Sequence, residues 1–214
     1  MMSTYSKMRE FETRVAAALV AVAMFAVLDA PASARSTTIK KRPTATAQNS
    51  KGVVARFSLG GSAPTSDEHD QLNAVGLRVG GTLGYQIPVM DRVSITPELW
   101  LNYMSWSGDR DVSTSMFVFA VGAQGDYFFL PDLSGWAGLH LGGGSVGSSP
   151  GDQSKGGFAL AIDWGATYYF NEYVGAGAFF SVTNTFAGKD DTTGADFSAG
   201  AFDFGIQLRG RYAL

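Results

Sequence analysis

From Gly52 to Leu214 the chain is built of segments in which apolar and polar residues change places at every step. In one, Val75, Leu77, Val79, Leu83, Tyr85 and Ile87 alternate with Ala74, Gly76, Arg78, Gly80, Thr82 and Gln86. In the last, Phe202, Phe204, Ile206, Leu208, Tyr212 and Leu214 alternate with Ala201, Asp203, Gly205, Gln207, Arg209 and Arg211. Successive side chains of a strand point to opposite faces, so a period of two means strands with one apolar and one polar face. The same test places strands near 53–61, 73–87, 93–106, 112–129, 133–146, 157–170, 173–186 and 197–213. Each suffices to cross a bilayer at barrel tilt, which takes about 9–11 residues.

The connections alternate as well. Pro88–Arg92, Leu130–Asp132 and Asn171–Glu172 read as tight turns. The stretches near 62–72, 107–111, 147–156 and 187–196 are mostly longer and rich in Gly, Ser, Asp and Thr. Short turns at one end and longer loops at the other are the pattern of an outer-membrane barrel, and an even strand number brings both ends of the chain to the turn side. The expected fold is all-β: an eight-stranded antiparallel up-and-down transmembrane β-barrel spanning 52–214.

Composition separates this from a water-soluble sheet. Charged residues are 16% of the chain against 45% hydrophobic, with 27 glycines. A soluble domain usually carries about 25% charged residues. The deficit implies a surface that largely avoids water, yet no apolar run reaches the ~18 residues of a membrane helix. The chain has no cysteine, which excludes disulfides and thiolate metal sites. A formal charge of −3 without a strong basic patch argues against a nucleic-acid partner.

A soluble barrel such as a lipocalin turns its polar face outward, and a membrane barrel turns it inward. The strand charges favour the second. Arg56, Arg78, Glu98, Asp126, Asp163, Asp203, Arg209 and Arg211 all fall on the polar face, four of each sign. His140 joins them with Trp136 and Gly138, and the rest of that face reads as mostly Gly, Ala, Ser and Thr. No lysine falls in the expected strands; Lys155 and Lys189 fall in loops. A narrow lumen wants small residues and balanced charges, because an unpaired charge away from water is costly. These nine residues are the expected lumen network, with arginines pairing to carboxylates and His140 bonded to Asp126 or Asp163.

On the apolar face, Tyr85, Tyr127, Phe129, Tyr168, Phe170 and Tyr212 fall at the turn ends, and Tyr103, Phe117, Phe158 and Phe186 at or near the loop ends. Aromatic girdles at both rims mark the lipid interfaces of such barrels.

The N-terminus reads as a targeting segment. Lys7, Arg9 and Arg14 form a basic region, Val15–Leu28 an apolar one, and Ala32-Ser33-Ala34 a small-x-small cleavage site. Residues 1–34 are therefore expected to be a signal peptide cut after Ala34. Residues 35–51, with Lys40-Lys41-Arg42, carry too little apolar surface to order themselves and are expected to form a flexible periplasmic tail.

The layout over 52–214 resembles the small outer-membrane β-barrel superfamily that includes OmpX and the OmpA barrel domain. The local pieces that carry the likeness are Thr96-Pro97-Glu98-Leu99-Trp100-Leu101-Asn102-Tyr103 and the C-terminal strand. Pro97 cannot donate to the ladder and implies a bulge. Members usually end on an aromatic residue read by the assembly machinery; this chain ends in Leu214, with Tyr212 on the same face. The resemblance implies a Gram-negative outer-membrane location, with outer-membrane lipids, lipopolysaccharide and the barrel-assembly machinery as partners.

Some barrels of this size edit lipid A, as PagP and PagL do. A nucleophilic mechanism needs a Ser, a His and an orienting carboxylate that converge. The two histidines offer little. His140 precedes Leu141-Gly142 rather than x-Ser, and His69 lies in Asp67-Glu68-His69-Asp70, where a site with Asp109 or Ser107 is conceivable. The loop Asp190-Asp191-Thr192-Thr193-Gly194-Ala195-Asp196 has oxygen ligands without the spacing of a calcium loop. The expectation is a monomeric, non-enzymatic barrel, without cofactor or metal, acting in envelope integrity or surface interaction. The alternatives are a narrow porin-like channel, a lipid A-modifying enzyme and a soluble lipocalin-like carrier. A conduit for small hydrophobic ligands of the OmpW type would need a more apolar interior than the sequence suggests.

Overall fold

A computed structural model describes residues 51–65, 75–107, 113–149, 153–189 and 196–213. Eight strands form: β1 (Gly52–Pro64), β2 (Gly76–Met90), β3 (Val93–Ser107), β4 (Ser113–Leu130), β5 (Leu133–Ser149), β6 (Gln153–Tyr169), β7 (Val174–Lys189) and β8 (Asp196–Ala213). Each pairs antiparallel with the next, and β1 closes on β8 from Gly52↔Ala213 to Pro64↔Ala201. Closure leaves no strand edge to template another chain. The expected signal peptide, the expected tail as far as Ser50, His69, Asp109 and the stretch 190–195 lie outside the described residues.

Several strands are longer than their alternation suggested, because ladder hydrogen bonding continues where side chains become Gly and Ser. β5 and β6 pair as far as Ser148↔Gln153, so the long loop expected over 147–156 shrinks to a few residues. Lys155 and Lys189 consequently lie in strands, at the loop ends of β6 and β7, rather than in loops. β2 runs through Pro88 to Met90, with a register shift between those residues, leaving Asp91 and Arg92 as the turn. The bulge expected at Pro97 is absent. Pro97 pairs with Ala123 of β4 in unbroken register, and on its other side the β2–β3 ladder skips from Gly84↔Glu98 to Ile87↔Ile95. That gap removes the need for the N–H that proline lacks.

The turns are tied to the barrel. Asn171 accepts hydrogen bonds from the Tyr173 and Val174 amides at 2.8 Å each, an Asx-type closure of the β6–β7 turn. In that turn the Tyr173 hydroxyl donates to Glu172, which with the charge of the carboxylate holds the phenol above its ordinary range.

The two faces of the wall are inverted relative to a soluble protein. Outward residues are apolar and exposed: Leu83 is 55% exposed, Phe129 57% and Ile206 68%. Inward residues include every strand charge predicted for the lumen, all buried.

Candidate functional site

The lumen holds the chemistry. Strand pairing places polar residues of all eight strands on the inner wall, and many of their side chains meet across the barrel. Arg56 of β1 is the hub. Its Nη1 donates to Gln124 of β4 at 2.7 Å, and its Nη2 donates to Glu98 of β3 at 3.1 Å and Asp163 of β6 at 3.0 Å. Its guanidinium lies 4.4 Å from the Trp136 ring centre. Gln124 donates onward to Asp126 at 3.0 Å, and Asp126 takes both Nη groups of Arg209 in a two-toothed pair. Such planar bidentate contacts are the strongest kind a carboxylate makes.

His140 of β5 stands inside this cluster. Its Nε2 is 2.9 Å from Glu98 and its Nδ1 3.7 Å from Asp163, and its ring stacks on Trp100 at 5.3 Å. The close partner is therefore Glu98 rather than the expected Asp126 or Asp163, because β3 brings Glu98 across the lumen to β5. Two glycines make the room. A Cβ on Gly138 would collide with the Asp163 carboxylate, and one on Gly165 would collide with the Trp136 ring.

A second cluster forms nearer the loop end. Asp203 is 3.4 Å from the Arg78 Nε and accepts from Ser62 and from Ser181, the latter at 2.8 Å. Arg78 also donates to Ser58 at 3.1 Å and lies 4.1 Å from the Phe179 ring centre. Arg211 lies over Tyr169 near the turn end, 5.1 Å from its ring centre, with its Nη2 3.4 Å from the Tyr169 hydroxyl. Cation–π contacts of this kind gain strength where water is excluded.

Sequence reasoning missed two apolar layers inside the lumen. Toward the loop end Trp100, Met104, Trp106, Met116, Val118 and Val146 are buried with several alanines. Toward the turn end Phe128 stacks on Tyr169 at 6.0 Å, with Val54 buried nearby. The interior is thus more apolar than its expected Gly, Ala, Ser and Thr lining.

On the outer wall Phe117, Tyr127, Phe129, Phe158, Tyr168, Phe170, Phe186 and Tyr212 are exposed, and Tyr85 and Tyr103 are half-buried. Tyr127 meets Phe129 edge-on at 5.1 Å, and Tyr168 meets Phe170 likewise at 5.8 Å, both at the turn rim. Phe158 stacks on Phe186 at 6.4 Å near the loop rim. Between the rims Trp164, Phe180 and Phe202 stack in sequence across β6, β7 and β8.

No protein-family model matches the sequence, and no curated protein does. Among solved structures, Neisserial surface protein A superposes with a TM-score of 0.53 at 13% identity, over 75% of this chain and 97% of that one. The chain has the fold of the small outer-membrane β-barrels. At that identity the likeness is one of fold. Ail of Yersinia pestis aligns at 15% identity with a TM-score of 0.47, over 75% of this chain and 99% of its own. OprG of Pseudomonas aeruginosa aligns at 10% with a TM-score of 0.40, over 78% and 99%.

Proposed function

We propose that this chain is an integral outer-membrane barrel with a non-enzymatic role, in envelope integrity or in surface interaction through the loops between β1 and β2, β3 and β4, β5 and β6, and β7 and β8. The observation that carries the reading is the inverted wall. Side chains such as Leu83, Leu139 and Ile206 face outward over the whole circumference while Arg56, Glu98, Asp126 and Arg209 are buried inside. In water that arrangement would expose an apolar surface far larger than a soluble monomer shows. In lipid it is the stable one, because a closed ladder leaves no open strand edge in the hydrocarbon. The aromatic rims then lie at the headgroups, and outer-membrane lipid and lipopolysaccharide are the surrounding partners. Export through a cleaved signal peptide and insertion by the barrel-assembly machinery belong to the same reading, as does a monomeric state.

Two features weigh against the alternatives. Among the described residues His140 is the one histidine, and it faces Glu98 inside the lumen with no serine hydroxyl among its partners. A wide pore is opposed by the side chains that fill the interior, as eight strands enclose only enough space for them. An epitope inserted between residues 66 and 74 tests the topology. Antibody should label it on intact cells; labelling only after the outer membrane is permeabilised would contradict the assignment of these loops to the outside.

A further inference from the structure

We propose that the β1–β8 joint, where the barrel closes, is latched by charges on the rest of the wall: Arg56 and Arg209 repel each other across the joint, and Glu98, Asp126 and Asp163 hold them there. Arg56 and Arg209 stand directly opposite in the β1–β8 register. Opposite residues of an antiparallel pair bring their Cβ atoms to about 4.5–5.5 Å, and like charges so placed destabilise the pair. Both arginines are buried, so solvent screens them little. The carboxylates are placed otherwise. Glu98 lies between Gly84 and Gly122, and Asp163 between Gly138 and Ser181, with no charge opposite either.

The buried charges are also sorted by strand. Arg56, Arg78, Arg209 and Arg211 all lie on β8, β1 and β2, the strands around the joint. Glu98, Asp126 and Asp163 lie on β3, β4 and β6. The remaining carboxylate, Asp203 of β8, accepts from Ser62 of β1 and reaches past that strand to Arg78 of β2.

The two arginines at the joint are therefore neutralised from a distance. Arg56 takes its carboxylates from β3 and β6, and Arg209 takes its own from β4. The two sides are tied through β4 as well. Arg56 donates to Gln124, Gln124 donates to Asp126, and Asp126 accepts from Arg209. A chain of bonds thus runs from one side of the joint to the other by way of side chains that belong to neither. While the acids are charged, the guanidiniums are drawn to the far wall and the joint stays shut. With the acids neutral, the same guanidiniums push β1 from β8, and the β4–β5 ladder feels no such push, since Asp126 there faces Trp136.

The test is site-resolved amide exchange with D2O in the refolded full-length mature barrel in lipid nanodiscs. It compares amides that bond across the β1–β8 joint with amides that bond between β4 and β5. Glu98→Gln, Asp126→Asn and Asp163→Asn together remove the charges at nearly constant shape. The joint amides should then exchange at least about tenfold faster than in the unaltered barrel, and the β4–β5 amides should stay within about twofold. Adding Arg56→Gln and Arg209→Gln should return the joint amides to the unaltered rate, which separates repulsion from lost packing. Asp126→Asn, with and without Arg209→Gln, serves if the triple variant does not fold. Equal acceleration of both ladders would overturn the proposal, because the acids would then support the barrel as a whole. An unchanged joint would overturn it too, as would a joint that stays fast once the arginines are gone.

Discussion

Asp126 and Arg209 are both buried and joined by two hydrogen bonds. Asp126→Ala should lower the unfolding free energy in detergent by about 3–5 kcal/mol, because it strands the Arg209 charge away from water. Adding Arg209→Ala should recover part of that loss. A denaturant titration of the two single variants and the double variant gives the coupling, and additive losses would mean that the pair is not a unit. Glu98→Ala should behave similarly, since it removes a partner of both Arg56 and His140. The sequence marked all of these as inward charges, because period-two alternation assigns a face. It did not mark who meets whom. Arg56 and Asp163 lie 107 residues apart in sequence and touch across the lumen, a contact set by barrel curvature and side-chain length rather than by ladder pairing.

The strands carry their information unevenly. β2 and β8 alternate cleanly, and their faces were plain from the sequence. The stretch Leu99–Trp106 of β3 and Met116–Val121 of β4 are apolar on both faces, because Trp100, Met104 and Trp106 point inward between Leu99, Leu101 and Tyr103 pointing outward. A run apolar on both sides hides the inner layer from any alternation test, which is why the loop-end layer went unseen. Glycine placement is the other silent device. Gly165→Ala should cost about 1–3 kcal/mol by driving a methyl group into Trp136. Gly143→Ala, whose added carbon would meet nothing closer than 3.7 Å, should stay within about 0.5 kcal/mol. Thermal unfolding of the two variants in the same detergent compares them; equal losses would contradict the close packing at Gly165. On the outer wall Leu139→Arg should cost about 2–4 kcal/mol if the middle of β5 lies near the bilayer midplane. A neutral effect in lipid would place that face elsewhere.

The molecule as a whole was more legible than its parts. Eight alternating segments, short turns against longer loops and a charge-poor composition already required a closed barrel with its polar face inside, and the strand order and closure agree. Strand ends were less legible, since backbone pairing beyond Val146 of β5 and before Gly157 of β6 depends on no side-chain pattern. The central claim is that this inverted barrel is a membrane protein. Cold and boiled electrophoresis of the protein from purified outer membranes tests it most directly. The account predicts a folded band that shifts on boiling to the mobility of the chain cut after Ala34. A protein found soluble in the periplasm, with no shift on boiling, would contradict it and point instead to a water-soluble carrier.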